Sequence, residues 1–584
     1  MANSLFRTKS ISNILAESEK GNADGQKNTL HRVLTVRDLT FFGIAAILGA
    51  GSFSSLGGAV FHGGPGVVIL FGITAIACAF TALCYSEFAS RIPVAGSAYT
   101  YAYASFGELF AWIIGWALIM EYSIGNIYVA YSWSDYFTSF LEKCNIHLPQ
   151  YLSTSYMEVK HALADGSTNK DVLDAWNSAP LVGGLRIILD VPALVINLLI
   201  TYLVFRGVRE SRNFSNVMVI LKMAVVVLVI LVGGYLIFSN GLAFNWLPAN
   251  DAGVKSFMPN GFGGVMAAVS GVFFAYIGFD AVSVLAEESK NPQRDLPRGM
   301  ILSLVICTIV YILLALVLTG AVNYRNFDGV GDPLAFIFEK QNLNVGWMQF
   351  SVAIAAVIAM TSVLLVFQMG QPRIWMSMSR DGLLPPVFQK IHPKFKTPSF
   401  ATIVTGLVVG IPILFTDKTF VLDFTSIATL FAFVLVCGGV LLIPRREKTQ
   451  GRFHLPFING QYIFPLIVVV AIAAAYGLSK TYFTDIFNFD FSANKDYMDG
   501  KISFMDAATP NISLIIFWLN AIILAALAFI KKYSLIPLMG LITCMYLLTG
   551  MTKSNWAWFL SWLAVGLILY FVYGYKKSKL TRKE

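Results

Sequence analysis

The chain alternates long apolar runs with short polar connections. Each run is about 20 residues or more, the length that carries a helix across a hydrocarbon core about 30 Å thick. About fourteen runs meet that length. They lie near 38–62, 66–91, 106–140, 185–206, 214–239, 259–287, 298–322, 347–380, 398–415, 419–443, 461–482, 511–530, 533–550 and 555–575. The pattern predicts an all-α membrane protein. Two runs, the first and the sixth, carry glycines and polar residues near their centres, where a spanning helix gains nothing from either.

Composition supports the membrane reading. The 584 residues are 56% hydrophobic and 13% charged, too little charge to cover a soluble protein of this size. The basic residues fall in alternate connections. Arg206, Arg209 and Arg212 follow run 4, and Lys290, Arg294 and Arg298 follow run 6. Arg380, Lys390, Lys394 and Lys396 follow run 8. Arg445, Arg446, Lys448 and Arg452 follow run 10, Lys531 and Lys532 follow run 12, and the tail reads "YKKSKLTRKE". Positive connections stay inside, so both termini are expected in the cytosol. The acidic connection after run 11 then falls outside. The net charge of +9 is a topology signal, and its division among short loops argues against nucleic-acid binding.

The N-terminal segment lacks the apolar core of a signal peptide, so the first run is expected to direct insertion itself. Cys78, Cys84, Cys307, Cys437 and Cys544 fall in runs, and Cys144 falls near an outside loop. No disulfide framework or metal spacing is visible. His62 and His147 read as interfacial or loop residues. No phosphate loop, nucleophile elbow or zinc motif appears. Catalytic residues, cofactors and metals are therefore not expected.

Run 1 reads "LTFFGIAAILGAGSFSSLGGAVF" and run 6 contains "VSGVFFAYIGFDAVSVLAEES". Gly49 and Gly51 in one, and Gly278 in the other, permit an interrupted helix. Lipid tolerates an interruption only where it lines a cavity or packs against protein. The half-helix after a break points N–H groups at that cavity, which suits a carboxylate. The half before it offers carbonyls, which suit an ammonium. Two breaks at matching positions suggest five-span repeats 1–5 and 6–10, with a small-molecule site at the midplane. Tight helix packing around small residues is the other explanation for either glycine pair alone.

Four longer motifs carry a family resemblance. They are "FFAYIGFDAVSVLAEESKNPQRDLPRG" (273–299), "GQPRIWMSMSRDGLLPPVF" (370–388), "GWALIMEYSIG" (115–125) and "VRDLTFFGIAAILGAGSF" (36–53). With them the chain resembles an amino acid permease of the amino acid–polyamine–organocation superfamily. Within it, the chain resembles bacterial relatives of the cationic amino acid transporter family. The resemblance implies the LeuT-type inverted five-plus-five repeat with about four additional C-terminal helices. The implied organisation is a cytosolic segment 1–37 and a transporter core 38–445, with repeats at about 38–239 and 259–443. Additional helices at 446–575 and a basic tail at 576–584 complete it.

It also implies a secondary amino acid transporter in the cell membrane. Its partners would be an amino acid, protons and the lipid bilayer. Neutral substrates are favoured, because the expected pocket wall (Tyr122, Phe273, Gln368, Met369, Ser426) is largely apolar. A cationic uniporter or exchanger and a non-transporting sensor are the alternatives. The substrate carboxylate is expected at the backbone of Gly49, Ala50, Gly51 and Ser52. The ammonium is expected at carbonyls of Phe274, Ala275, Ile277 and Ile47. Ala50 stands where the family usually has Ser or Thr, so backbone groups alone must hold the carboxylate.

Three buried ionisable residues remain. Asp280 opens the second half of run 6, where it either caps free N–H groups or meets substrate or proton. Glu287 and Glu288 are expected in a cytosolic turn. Lys222 in run 5 either snorkels to the interface or couples transport to protons, as an intramembrane lysine suggests. The resemblance adds that some members place a lysine here in the position of a sodium ion. Glu121 in run 3 is either a proton or pocket group or a polar contact between helices.

Overall fold

The computed structural model describes residues 6–12, 14, 34–49, 51–94, 97–164, 170–206, 212–250, 253–395, 397–444, 452–492, 495–498 and 502–580. Ala50, Arg209, Lys396, Arg445, Arg446 and Lys448 lie outside these, as do the side chains of Arg212, Glu287 and Glu288. Among the described residues the chain is helical, apart from a two-stranded hairpin pairing Leu181–Val182 with Leu185–Arg186.

Among the described residues, nine helices are long and apolar enough to cross a membrane, and a tenth span is a helix pair bent by 44°. Three further apolar helices, Val191–Arg206, Ser399–Ile413 and Leu535–Leu548, are shorter. The fourteen runs map onto this set in chain order. They are called spans 1–14 below. Span 1 consists of Val36–Ile47, a turn at Gly51–Ser55, and Leu56–Gly63. Its second half ends at Gly64, whose φ of 58° and ψ of −154° leave helical geometry, and after the turn Gly64–Gly66 span 2 begins as Val67–Arg91. Span 6 consists of Gly261–Ala267, Val269–Tyr276 and, past its break, the 3-10 segment Asp280–Glu288.

The core is built from spans 1–10. Span 3, Glu108–Lys143, packs along span 8, Gly346–Arg380. Span 7, Pro292–Ala321, packs against spans 1 and 2. Span 10, Lys418–Leu442, lies between span 3 and span 13. Span 3 has 36 residues, so it extends roughly 54 Å at 1.5 Å per residue. Its excess length carries a lid of helices Tyr156–Ala164 and Lys170–Ser178 plus the hairpin. The lid has its own small core around Val159, Ala175, Ala179 and Ile188. The sequence pattern did not resolve it, because the segment is short and polar.

Both terminal segments lie at the other end. Lys9 pairs with Asp381 at 3.0 Å, and the Ser578 hydroxyl donates to Glu108 at 2.5 Å. Spans 11 (Gly460–Leu478) and 12 (Phe504–Lys531) pack on each other at the periphery and keep apolar faces exposed, as lipid-facing helices do. Span 14, which begins Lys553–Leu569, is tied to span 3 by a reciprocal pair. Trp116 Nε1 donates to Trp562 O at 2.8 Å, and Trp562 Nε1 donates to Trp116 O at 3.1 Å. Their rings stack at 4.7 Å, and Trp112 Nε1 reaches Gly566 O at 2.9 Å.

Candidate functional site

Span 1 starts on a capping box. Thr35 N–H and hydroxyl both donate to Asp38 Oδ2, at 3.0 and 2.6 Å, which fixes where the helix begins. The helix ends at Ile47 because Leu48 leaves helical geometry, with ψ at 71°. Past the break, hydroxyls satisfy carbonyls that the helix no longer serves. Ser52 Oγ donates to Gly49 O at 2.9 Å, and Ser55 Oγ donates to Gly51 O at 2.8 Å and to Gly271 O at 3.0 Å. Ser52 thus closes its own turn.

Span 6 breaks where Ile277 turns extended (φ −61°, ψ 137°) and Gly278 takes φ +117°, a region that disfavours side chains. The two breaks pack on each other through backbone. A Cβ at Gly278 would lie 2.9 Å from the Ala46 carbonyl carbon, and one at Gly51 would lie 2.5 Å from Ala275 Cα. Only glycine allows that approach. The expected helical second half of span 6 is instead wound as a 3-10 segment from Asp280. This tighter winding follows directly on the strained turn at Gly278.

The Tyr311 hydroxyl of span 7 joins the breaks, 2.8 Å from both Ile47 O and Ala275 O. Two of the carbonyls expected to receive an ammonium therefore converge on one point. A single hydroxyl proton serves one of them at a time, which leaves acceptor capacity for a second donor. Around this point, the Phe274 ring meets the Tyr128 ring edge-on at 4.6 Å. A methyl of Val363, in span 8, fills the space beside Gly49. Phe274, Ala275, Ile277, Ile47, Gly51 and Ser52 are all buried.

The ionisable residues fall on two sides of the breaks. Lys222 is fully buried, and its Nζ donates to Ala45 O, two residues before the end of the first half of span 1, at 2.8 Å. It turns inward, not toward the interface, so the snorkelling alternative does not describe its geometry. Cys307 of span 7 is its electrostatic neighbour. Asp280 and Glu121 lie together on the other side, both buried, and interact with each other. The N–H groups of Gly278, Asp280 and Ala281 face the Asp280 carboxylate, at the turn itself rather than on the N–H groups two or three residues on that a helix cap binds. The Thr429 hydroxyl of span 10 faces Glu121.

Sequence reasoning did not find Tyr311, Val363 or Tyr128. A lone tyrosine hydroxyl inside the apolar stretch "ICTIVYILLALV" was the available signal for Tyr311. Val363 carried no signal, since it is one aliphatic among many. Several expected wall residues have partners in neighbouring spans. Gln368 bonds Asn126 at 2.9 Å and Thr201 at 2.8 Å, knitting spans 3, 8 and 4. Phe273 packs against Phe433 at 5.7 Å, and Tyr122 packs against Phe367 at 5.5 Å. Ser426 Oγ donates to Ser270 O at 2.9 Å, binding span 10 to span 6. Among the described residues, no group of three or more His, Cys, Asp or Glu side chains is placed to hold a metal ion.

Known proteins share this pattern of motifs. Residues 34–489 match the amino acid permease family. The chain is 40% identical to the branched-chain amino acid permease BcaP of Bacillus subtilis, over 77% of this chain and 88% of that protein. It is 38% identical to the methylthioribose transporter of the same organism, over 78% and 89%. It is 29% identical to the mitochondrial cationic amino acid transporter 3 of Arabidopsis thaliana, over 97% and 94%, a match that takes in the last four spans. These relatives are named as transporters and permeases, not as enzymes. The chain is therefore a multi-pass membrane protein belonging to the amino acid permease family of the amino acid–polyamine–organocation superfamily.

Proposed function

We propose that the chain is a proton-coupled secondary transporter that moves neutral amino acids across the cytoplasmic membrane by alternating access. The observation that carries this reading is the Tyr311 hydroxyl at 2.8 Å from Ile47 O and Ala275 O, carbonyls from two different broken spans. An α-ammonium suits such a cluster of carbonyls, and the start of the turn Gly51–Ser55 suits the α-carboxylate. Spans 1–5 and 6–10 form the inverted repeats in this reading, with their interrupted helices back to back. Both termini are cytosolic, which agrees with their meeting at one end of the bundle.

Neutral selectivity rests on the surroundings of the breaks. Phe274, Tyr128 and Val363 are apolar or aromatic. The relative with 40% identity is named for branched-chain amino acids. Exchange of cationic amino acids is the second reading. It is supported by the relatives named as cationic transporters and by the carboxyl pair Glu121 and Asp280, which supplies counter-charge.

Uptake of labelled leucine into proteoliposomes, with competitors, tests these readings. Unlabelled isoleucine and valine should compete, and leucinamide and N-acetyl-leucine should compete poorly. Stronger competition by lysine or arginine than by isoleucine would favour the second reading. Equal competition by the amide and acetyl derivatives would contradict the site itself.

A further inference from the structure

The end of the bundle opposite the termini carries a charged cluster that the substrate site does not use. Asp135, near the end of span 3, forms an ion pair with Lys418, the first residue of span 10. The Lys418 ammonium also reaches Gly331 O at 3.4 Å and lies 5.7 Å from the centre of the Tyr128 ring. Gly331 O accepts from Ser54 Oγ at 3.1 Å, and Tyr128 OH donates to Ser54 Oγ at 3.4 Å. Tyr136 OH donates to Phe53 O at 2.5 Å. Phe53 and Ser54 belong to the turn just past the span-1 break. A run of contacts therefore leads from the ion pair to the substrate site.

The lid closes over the same place. His161 Nδ1 lies 3.2 Å from Asp417 Oδ2, and Asp417 caps span 10 through Phe420 N at 2.9 Å. Ser134 of span 3 donates to Asp190, at the start of span 4, at 2.6 Å. Glu158 of the lid faces Asp135, Lys418 and Asp417. Asp332, in the loop between spans 7 and 8, faces Asp135, Glu339 and Lys418.

We propose that Asp135 and Lys418 form an outer gate, whose pairing holds the lid and the 331–332 loop over the turn Phe53–Ser54. Both are positioning residues. The proposal rests on the transporter reading and its orientation. Releasing the pair frees Gly331, then Ser54, and opens the space above the breaks to the outside.

External pH sets the strength of the gate. Burial, then the nearby Asp135 charge, pushes Asp332 up to about 7, and Glu158 is shifted in the same direction beside Asp135 and Asp417. Glu158 is exposed on the lid, so the neighbouring carboxylates rather than burial hold its proton. In an open, solvated vestibule both carboxyls return toward about 4. The closed form thus holds protons that the open form gives up. Closure strengthens as pH falls from about 7 toward about 4 and stays at its weakest above about 7, where the charged carboxylates repel Asp135.

The test places a cysteine at Ser54 and measures its labelling by an impermeant thiol reagent added to intact cells. Cys144 is exposed, and its rate in the parent protein corrects for the reagent's own pH dependence. Lys418→Met should speed labelling at position 54 about tenfold or more, the factor that corresponds to roughly 1.4 kcal/mol of lost closure. Lys418→Arg should keep it slow, and the swap Asp135→Lys with Lys418→Asp should restore the slow rate. Wild-type labelling should slow between pH 8 and pH 5.5. Glu158→Gln with Asp332→Asn should flatten that dependence. Slow labelling in folded Lys418→Met, or fast labelling in the swap, overturns the gate. Labelling needs no substrate, so an absence of amino acid uptake would refute the transporter reading and leave this result standing.

Discussion

At the scale of single residues, the site depends on groups that cannot be exchanged without moving backbone. A valine at Gly51 must fit a Cβ 2.5 Å from Ala275 Cα. Overpacking of this kind costs about 1–3 kcal/mol. Gly51→Val should therefore weaken amino acid binding at least about tenfold in a folded protein, as measured by scintillation proximity or calorimetry. Unchanged affinity would show that the carboxylate lies elsewhere. Tyr311→Phe removes the shared donor of Ile47 O and Ala275 O. A lost hydrogen bond to buried groups costs about 1–3 kcal/mol. Stability should fall by that amount in thermal melts, with affinity falling alongside. If stability falls and affinity does not, Tyr311 only braces the two helices.

Residues differed in how far the sequence revealed them. Gly51, Gly278 and Asp280 announced themselves, because lipid penalises such residues in a spanning helix unless something compensates. Lys222 did too, although only its bond to Ala45 O decided which way it turned. Gln368 and Tyr122 were legible as polar or aromatic residues of the core, but not in direction. On a helix buried on most sides, periodicity does not say which neighbour a side chain meets. Asp135 and Lys418 sit near span ends, where charge is unremarkable until the fold brings the two together.

At the scale of elements, the breaks are set by local backbone chemistry. Gly278 at φ +117° is the clearest case, since a side chain there is strained and also meets Ala46. Gly278→Ala should cost about 1–3 kcal/mol of stability or shift the break. Thermal melts and substrate affinity should both drop. An alanine variant with wild-type affinity and stability would mean that the span-6 turn can form without the left-handed backbone. Most apolar runs were legible because the membrane demands length and apolarity together. The run boundary between spans 1 and 2 is a turn. Gly64–Gly66 makes one tight turn there, and a new helix starts at Val67. The lid was not legible as a unit, because its small core rests on a few residues spread over a polar connection.

At the scale of the whole molecule, the central claim is that Lys222 links proton movement to the span-1 break. Lys222 is fully buried in span 5, and its Nζ donates to Ala45 O at 2.8 Å. While charged, it holds Ala45 O, just before the break, and ties span 5 to span 1. In the proposed mechanism, release of its proton to the cytosol frees the first half of span 1 to move. Lys222→Met keeps the apolar stem and cannot titrate. The most direct measurement is leucine accumulation in proteoliposomes driven only by an inside-alkaline pH gradient, at clamped membrane potential. Wild type should concentrate leucine above the outside level. Lys222→Met should still bind and equilibrate leucine but show no accumulation. Accumulation by Lys222→Met equal to that of wild type would contradict the account and move the coupling to Glu121 and Asp280.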